Sequence, residues 1–154
     1  VASPWLLKAS GTPQTPAEMA RFTLIEAGDA HRTANLEWLT WRRWFDTQGC
    51  GQLQPKRWLY FNYAHQIVQA ALAGQGLALA RMPLIADALA SGDLVEVMPG
   101  HRLDSPLAYW LLTGPRSSQR PEIQAFCAWL ALEAENTRRA IGDMPDPDTL
   151  ASPY

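Results

Sequence analysis

The chain has 154 residues, 47% hydrophobic and 18% charged, with a formal net charge of −2. These totals fit one globular domain or two small lobes, and they argue against a self-sufficient nucleic-acid binder, which carries a basic face. No apolar run approaches the roughly 18 residues of a membrane span, and no charged-then-apolar signal segment opens the chain.

In chain order, Ser3 reads as a helix cap with Pro4 at the first helical position, followed by Trp5, Leu6 and Leu7. A turn-rich loop spans 11–16, and Thr15 is expected to cap a second short helix beginning at Pro16. Residues 22–25 read as a strand, and 28–34 as a loop holding Asp29, His31 and Arg32. A helix is expected over 35–46, with Trp38, Trp41 and Phe45 on one stripe and most of the aromatic surface in the core. Residues 48–55 form a loop, and 57–61 a strand.

The most informative stretch follows that strand. Ala64, Ile67, Val68, Ala71 and Leu72 recur at the spacing of a buried helical stripe. Asn62 precedes the stripe, where a side-chain oxygen can accept from a free backbone N–H. Gly74 and Gly76 end the helix, and 77–79 has the length of a buried strand. The helix opens on a polar cluster of Asn62, Tyr63, His65 and Gln66. A helix amino end, with its dipole and unpaired N–H groups, suits a small anion. Asn62 therefore has two readings, cap and ligand contact, and His65 and Gln66 have a bland alternative as solvated surface residues. Arg81 follows the apolar strand at its carboxyl end, where open α/β sheets place ligands, with a plain surface charge as the alternative.

Beyond this point the expected elements are a helix over 83–90 ended by Ser91-Gly92, a strand over 94–98, a polar connection over 99–106, a strand over 107–112 and a loop over 114–120. A helix over 121–133 has Pro121 at its first position, Glu122 in its first turn, and a stripe of Ile123, Phe126, Cys127 and Leu130. The pattern dissolves after Asn136, and 136–154, rich in Pro and acidic residues toward its end, reads as a disordered tail. Alternating strands and helices argue for an α/β fold with a largely parallel sheet.

Catalysis finds little support. His31, His65 and His101 lack metal-ligand spacing. Gly74-Gln75-Gly76 lacks the Lys-Ser/Thr ending of a phosphate loop and the third glycine of a dinucleotide motif, and no Gly-x-Ser-x-Gly elbow occurs. No catalytic residue, metal or cofactor is expected. Cys50 and Cys127 lie far apart and read as free thiols in a reducing, cytoplasmic compartment.

Several segments together resemble the effector-binding domain of LysR-type transcriptional regulators. They are Ser3-Pro4-Trp5-Leu6-Leu7, Thr15-Pro16-Ala17-Glu18-Met19 leading to Thr23-Leu24-Ile25, Trp38-Leu39-Thr40-Trp41, and Phe61-Asn62-Tyr63 with the run from Gln69 to Ala80. Pro83-Leu84, Leu89-Ala90-Ser91-Gly92-Asp93-Leu94-Val95, Ala108-Tyr109-Trp110 and the run from Pro121 to Leu130 continue the pattern. The Trp-Leu-x-Trp and Ala-Tyr-Trp elements look most like the branch containing the glycine-cleavage and β-lactamase activators. The resemblance implies a type II periplasmic-binding-protein-like fold of two α/β lobes. One complete lobe lies at about 3–103, and a returning piece of the other at about 104–135. Val1 then matches a crossover rather than a true start, so the chain reads as a piece of a longer protein.

The same resemblance implies that a small-molecule effector, a carboxylate or amino acid, binds between the lobes. Asn62, Tyr63, His65, Gln66, Arg81 and Tyr109 are the candidate contacts. DNA is met only through a helix-turn-helix absent from this chain, and the complete regulator pairs into homodimers or homotetramers, without a membrane. The alternative is a transport solute-binding protein with the same fold. Strand 107–112 and the last helix would normally pack on strands outside this chain, so an exposed apolar face is expected there.

Overall fold

The computed structural model describes residues 1–28, 39–105 and 108–142. The chain divides into two compact units, Val1–Pro106 and Leu107–Tyr154.

The first unit is built on a three-stranded parallel sheet in the order β2-β1-β3, with β1 at Thr23–Ala27, β2 at Arg57–Phe61 and β3 at Leu77–Ala78. Between β1 and β2 lies helix α2, Trp41–Thr47, and between β2 and β3 lies α3, Ala64–Leu72. The two crossovers run in opposite directions along the sheet. Right-handed parallel connections then put their helices on opposite faces, which is what the packing shows. Leu24, Leu77 and the α2 residues Trp41, Trp44 and Phe45 share one core, while Ile25, Ala78 and the α3 residues Ile67, Ala70 and Ala71 share the other.

The first core is aromatic. Trp41, Trp44 and Phe45 pack with ring centroids 5.4 to 5.7 Å apart, each such pair contributing roughly 0.5–1.5 kcal/mol beyond buried area. Both indole N–H groups are used: Trp41 Nε1 donates to Ile25 O at 3.0 Å and Trp44 Nε1 to His101 O at 2.6 Å. Trp41 and Trp44 thus pack as expected, whereas Trp38 lies outside the described residues.

Helix α1, Pro4–Ser10, is capped as anticipated, with Leu6 N donating to Ser3 Oγ at 3.3 Å. The chain before it extends the sheet locally: Ala78 N donates to Val1 O, and Ala2 forms an antiparallel bridge with Val95. Two glycines permit close packing. At Gly74, φ is +69° and an added Cβ would strike the Trp5 ring; at Gly76 it would strike the Thr23 carbonyl oxygen of β1.

Several sequence expectations shift. The segment at Pro16–Arg21 is a 3-10 helix, and the Thr15 hydroxyl donates to Glu18 Oε1 instead of capping the backbone. Glu18 also accepts from Gln14 N at 3.2 Å, so this carboxylate closes the turn. The first strand runs two residues further than expected, to Ala27. Helix α2 begins only at Trp41, because Thr40 is extended and its hydroxyl accepts from Arg43 N at 3.2 Å; positions 35–38 of the expected helix lie outside the described residues. Tyr63, not Asn62, is the cap residue of α3, since its backbone is the last in extended geometry (φ −126°, ψ 140°), and it makes no side-chain cap bond. The segment expected as a helix over 83–90 is a 3-10 turn, Met82–Leu84, then α4, Ala86–Ser91, because Ile85 leaves helical φ at −124°. The strand expected over 94–98 is reduced to the single bridge at Val95; Leu94 and Val97, three apart, are the buried pair there, which is not the alternation of a strand.

In the second unit, helix α5 spans Pro121–Ile141, beyond the expected end near residue 133. Arg139 pairs with Glu135 at 3.1 Å one turn away, Thr137 donates to Glu133 O, and Gly142 closes the helix at φ +69°. The exposed ion pair contributes little energy; the absence of Gly and Pro from 122–141 and the glycine stop set the length. Residues 143–154 of the expected tail lie outside the described residues. Residues 108–112 are not a strand, having no ladder partner among the described residues, and Trp110 and Leu112 are 78% and 86% exposed. The α5 stripe is not buried either: Ile123, Cys127 and Leu130 are only half-covered, and Phe126, Trp129 and Leu132 are exposed.

Gly76→Ala is expected to destabilise the protein by about 1–3 kcal/mol, because the added methyl overpacks the contact between β3 and β1; a urea unfolding midpoint lowered by less than the experimental error would contradict this. The 154-residue chain in isolation is expected to bind a fluorescent apolar dye and to self-associate through exposed hydrocarbon, read by dye emission and analytical ultracentrifugation. A monodisperse, dye-silent monomer with a high Tm is the contrary result.

Candidate functional site

Connections leaving β1 pass to the α2 face and those leaving β2 and β3 pass to the α3 face. In open α/β sheets ligands are held at the carboxyl ends of the strands. The residues at this carboxyl edge are Glu26 and Gly28 from β1 and its end, Tyr60 from β2, and Asn62, Tyr63, His65 and Gln66 leading into α3.

The structure brings four of the expected residues together here. Asn62, Tyr63 and His65 are exposed and Gln66 is half-buried. The rings of Tyr63 and His65 stack 5.6 Å apart at an interplanar angle of 20°. Tyr63 O accepts from Gln66 N at 3.0 Å and Ile67 N at 3.4 Å, which forms the first turn of α3. No side-chain cap bond closes this helix end, so its positive dipole lies at the carboxyl edge uncompensated by a cap.

Arg81 lies three residues beyond β3, exposed, as the cap residue of the 3-10 turn, and its carbonyl accepts from Leu84 N at 3.0 Å. Tyr109 belongs to the second unit, where it is 70% exposed. That unit has its own open cavity of about 270 Å³, lined by Leu111, Thr113, Ser118, Ile123, Gln124 and Cys127. His31 and Arg32 lie outside the described residues.

Glu26 escaped the sequence reading. Its Oε2 accepts from Trp41 N at 2.6 Å, so a strand carboxylate caps the start of α2. Burial pushes the Glu26 carboxyl above its ordinary value, and the Trp41 N–H partly offsets that shift. Tyr60, its register partner, has its hydroxyl raised by burial and then by the Glu26 charge. The signal was present: Glu26 is the one charged residue in its strand, directly after Leu24 and Ile25. Neither thiol forms a disulfide, and burial, then Asp46, raises the Cys50 thiol. Among the described residues no group of three or more His, Cys, Asp or Glu could hold a metal, and no helix is long and apolar enough to cross a membrane.

The LysR substrate binding domain model matches residues 1–134. The chain belongs to this family. It is 28% identical over 134 residues to the glycine cleavage system transcriptional activator of Escherichia coli strain K12, covering 87% of this chain and 41% of that protein. It is 30% identical over 130 residues to the HTH-type transcriptional regulator TrpI of Pseudomonas aeruginosa, covering 84% of this chain and 41% of the relative. The chain thus spans about two fifths of the length of these regulators. A solved structure titled as the C-terminal domains of a LysR family protein from Agrobacterium tumefaciens aligns with TM-score 0.49 and 30% identity, over 65% of this chain and 45% of that one. The α/β class with a parallel sheet and the periplasmic-binding-protein-like fold agree with this membership. Relatives named as regulators favour the sensing domain over the transport solute-binding protein.

Glu26→Ala is expected to cost about 0.5–2 kcal/mol at neutral pH, because Trp41 N loses its acceptor, whereas Glu26→Gln keeps an oxygen there and costs less. The folded-state pKa is raised, so the folded protein holds this proton more tightly than the unfolded chain. Stability from this group therefore falls as pH rises from the ordinary glutamate value through the raised one. Urea titrations across that window should show this fall in wild type and its absence in Glu26→Gln.

Proposed function

We propose that this chain is the effector-sensing domain of a bacterial LysR-type transcriptional regulator working in the cytoplasm. Its role is binding, not catalysis. A small carboxylate or amino acid docks at the carboxyl edge of the sheet, with the open amino end of α3 receiving its carboxylate and Asn62, Tyr63, His65 and Gln66 supplying side-chain contacts. Arg81 adds a positive charge beyond β3. The observation carrying this reading is that the family match spans 134 residues and contains, at the carboxyl edge of the sheet, an uncapped helix start at Tyr63.

The effector acts by preferring one arrangement of the regulator over another; equal affinity for both would shift nothing. DNA contact belongs to a helix-turn-helix outside these 154 residues, in agreement with the net charge of −2. The complete regulator works as a homodimer or homotetramer, presenting paired DNA-binding segments to its operator.

The intact regulator should be titrated with carboxylates and amino acids while operator affinity is read by fluorescence anisotropy. At least one compound is expected to change apparent Kd about tenfold, which is roughly 1.4 kcal/mol of coupling. His65→Ala and Asn62→Ala should raise its half-saturating concentration several-fold. Operator affinity unmoved by every compound would remove the sensing role.

A further inference from the structure

Glu26, Gly28, Tyr60 and Asn62 converge on one face of the sheet at its carboxyl edge. Glu26 and Tyr60 are aligned in the parallel register, and the alternation of extended chain puts Gly28 and Asn62 on the same side. Gly28 N donates to Phe61 O at 2.8 Å, which continues the pairing past the strand ends. A Cβ built on Gly28 would lie 3.2 Å from the Tyr60 Cβ and 3.6 Å from Asn62 Oδ1. The missing side chain at residue 28 therefore keeps this face uncrowded beside Tyr60 and Asn62.

We infer that this cluster is an amine subsite, so that the effector carries an ammonium group on Glu26, Tyr60 and Asn62 as well as a carboxylate; the inference rests on the sensing role proposed above. Glu26 is half-buried and commits one oxygen, Oε2, to Trp41 N. No ion pair among the described residues reaches it. A carboxylate set back from solvent carries a desolvation cost that a bound cation offsets. The atoms on offer are the second Glu26 oxygen, the Tyr60 phenolic oxygen and the Asn62 amide oxygen. Three acceptors match the three donors of an ammonium, which accepts nothing. A dianion without an amine would meet the Glu26 charge instead. The uncapped start of α3 takes the opposite end of the same molecule, so a free amino acid satisfies both poles where a simple carboxylate satisfies one.

The test uses the intact regulator on its operator DNA. Each of the twenty protein amino acids is compared with the deaminated acid of the same carbon skeleton, and half-saturating concentrations are read by anisotropy. For the responding amino acid, the deaminated partner should need about tenfold or more concentration, the loss expected for a hydrogen bond to a charged group. Glu26→Gln should collapse that preference to within about twofold. Asn62→Leu, at an exposed position with little bearing on folding, should reduce it several-fold. A purely structural Glu26 would weaken both members of the pair alike and leave their ratio unchanged. Equal potency of the pair in wild type, a response confined to amine-free acids, or a ratio unmoved in both variants overturns the amine subsite while the sensing role stands. Silence toward every compound overturns both.

Discussion

Everything in the first unit depends on burying β1 on two sides at once. Leu24 and Ile25 are adjacent in sequence, have no exposure, and point into different cores. Each contributes roughly 1.5–3 kcal/mol by burial. Their opposed directions oblige the chain to place α2 on one face and α3 on the other. Neighbours on both edges, β2 and β3, then satisfy the backbone of β1. A single polar substitution at either residue would strip one layer from the sheet.

The same strand produces the chemistry of the edge. Where the apolar alternation ends, Glu26 stands on the Leu24 side, and its carboxylate is drawn to the start of α2 by an unpaired N–H. One carboxylate thus holds a helix in place and charges the carboxyl edge of the sheet. The start of α3, by contrast, is left without a side-chain cap. The edge is therefore polarised, with an acid on one side of the sheet and a helix amino end on the other. That asymmetry suits a molecule carrying both signs of charge better than one carrying only negative charge.

The second unit follows a different logic. Helix α5 is long because its residues favour helix and its end is stopped by a left-handed glycine, not because a hydrophobic face is buried. Phe126, Trp129, Trp110 and Leu112 remain exposed. Hydrocarbon in that amount is ordinary for a domain core and unusual for a surface.

The sequence by itself determined the α/β class, the strand at 57–61, the stripe of α3, the glycine stops and the Ser3 cap. Each is written in local periodicity or in the geometry one residue type tolerates. It also placed Asn62, Tyr63, His65 and Gln66 on one helix start, because neighbours in a turn are neighbours in space. The tertiary structure alone decided that Tyr63 takes the cap position, that α2 waits until Trp41, and that Glu26 faces Tyr60. The last two involve groups 15 and 34 residues apart, Glu26 with Trp41 and Glu26 with Tyr60. No spacing rule registers such pairs, because the contact exists only once two strands have paired. Residues 108–112 show the converse: their apolar pattern reads as a strand, yet a strand is a ladder, and its formation belongs to a partner the pattern cannot supply.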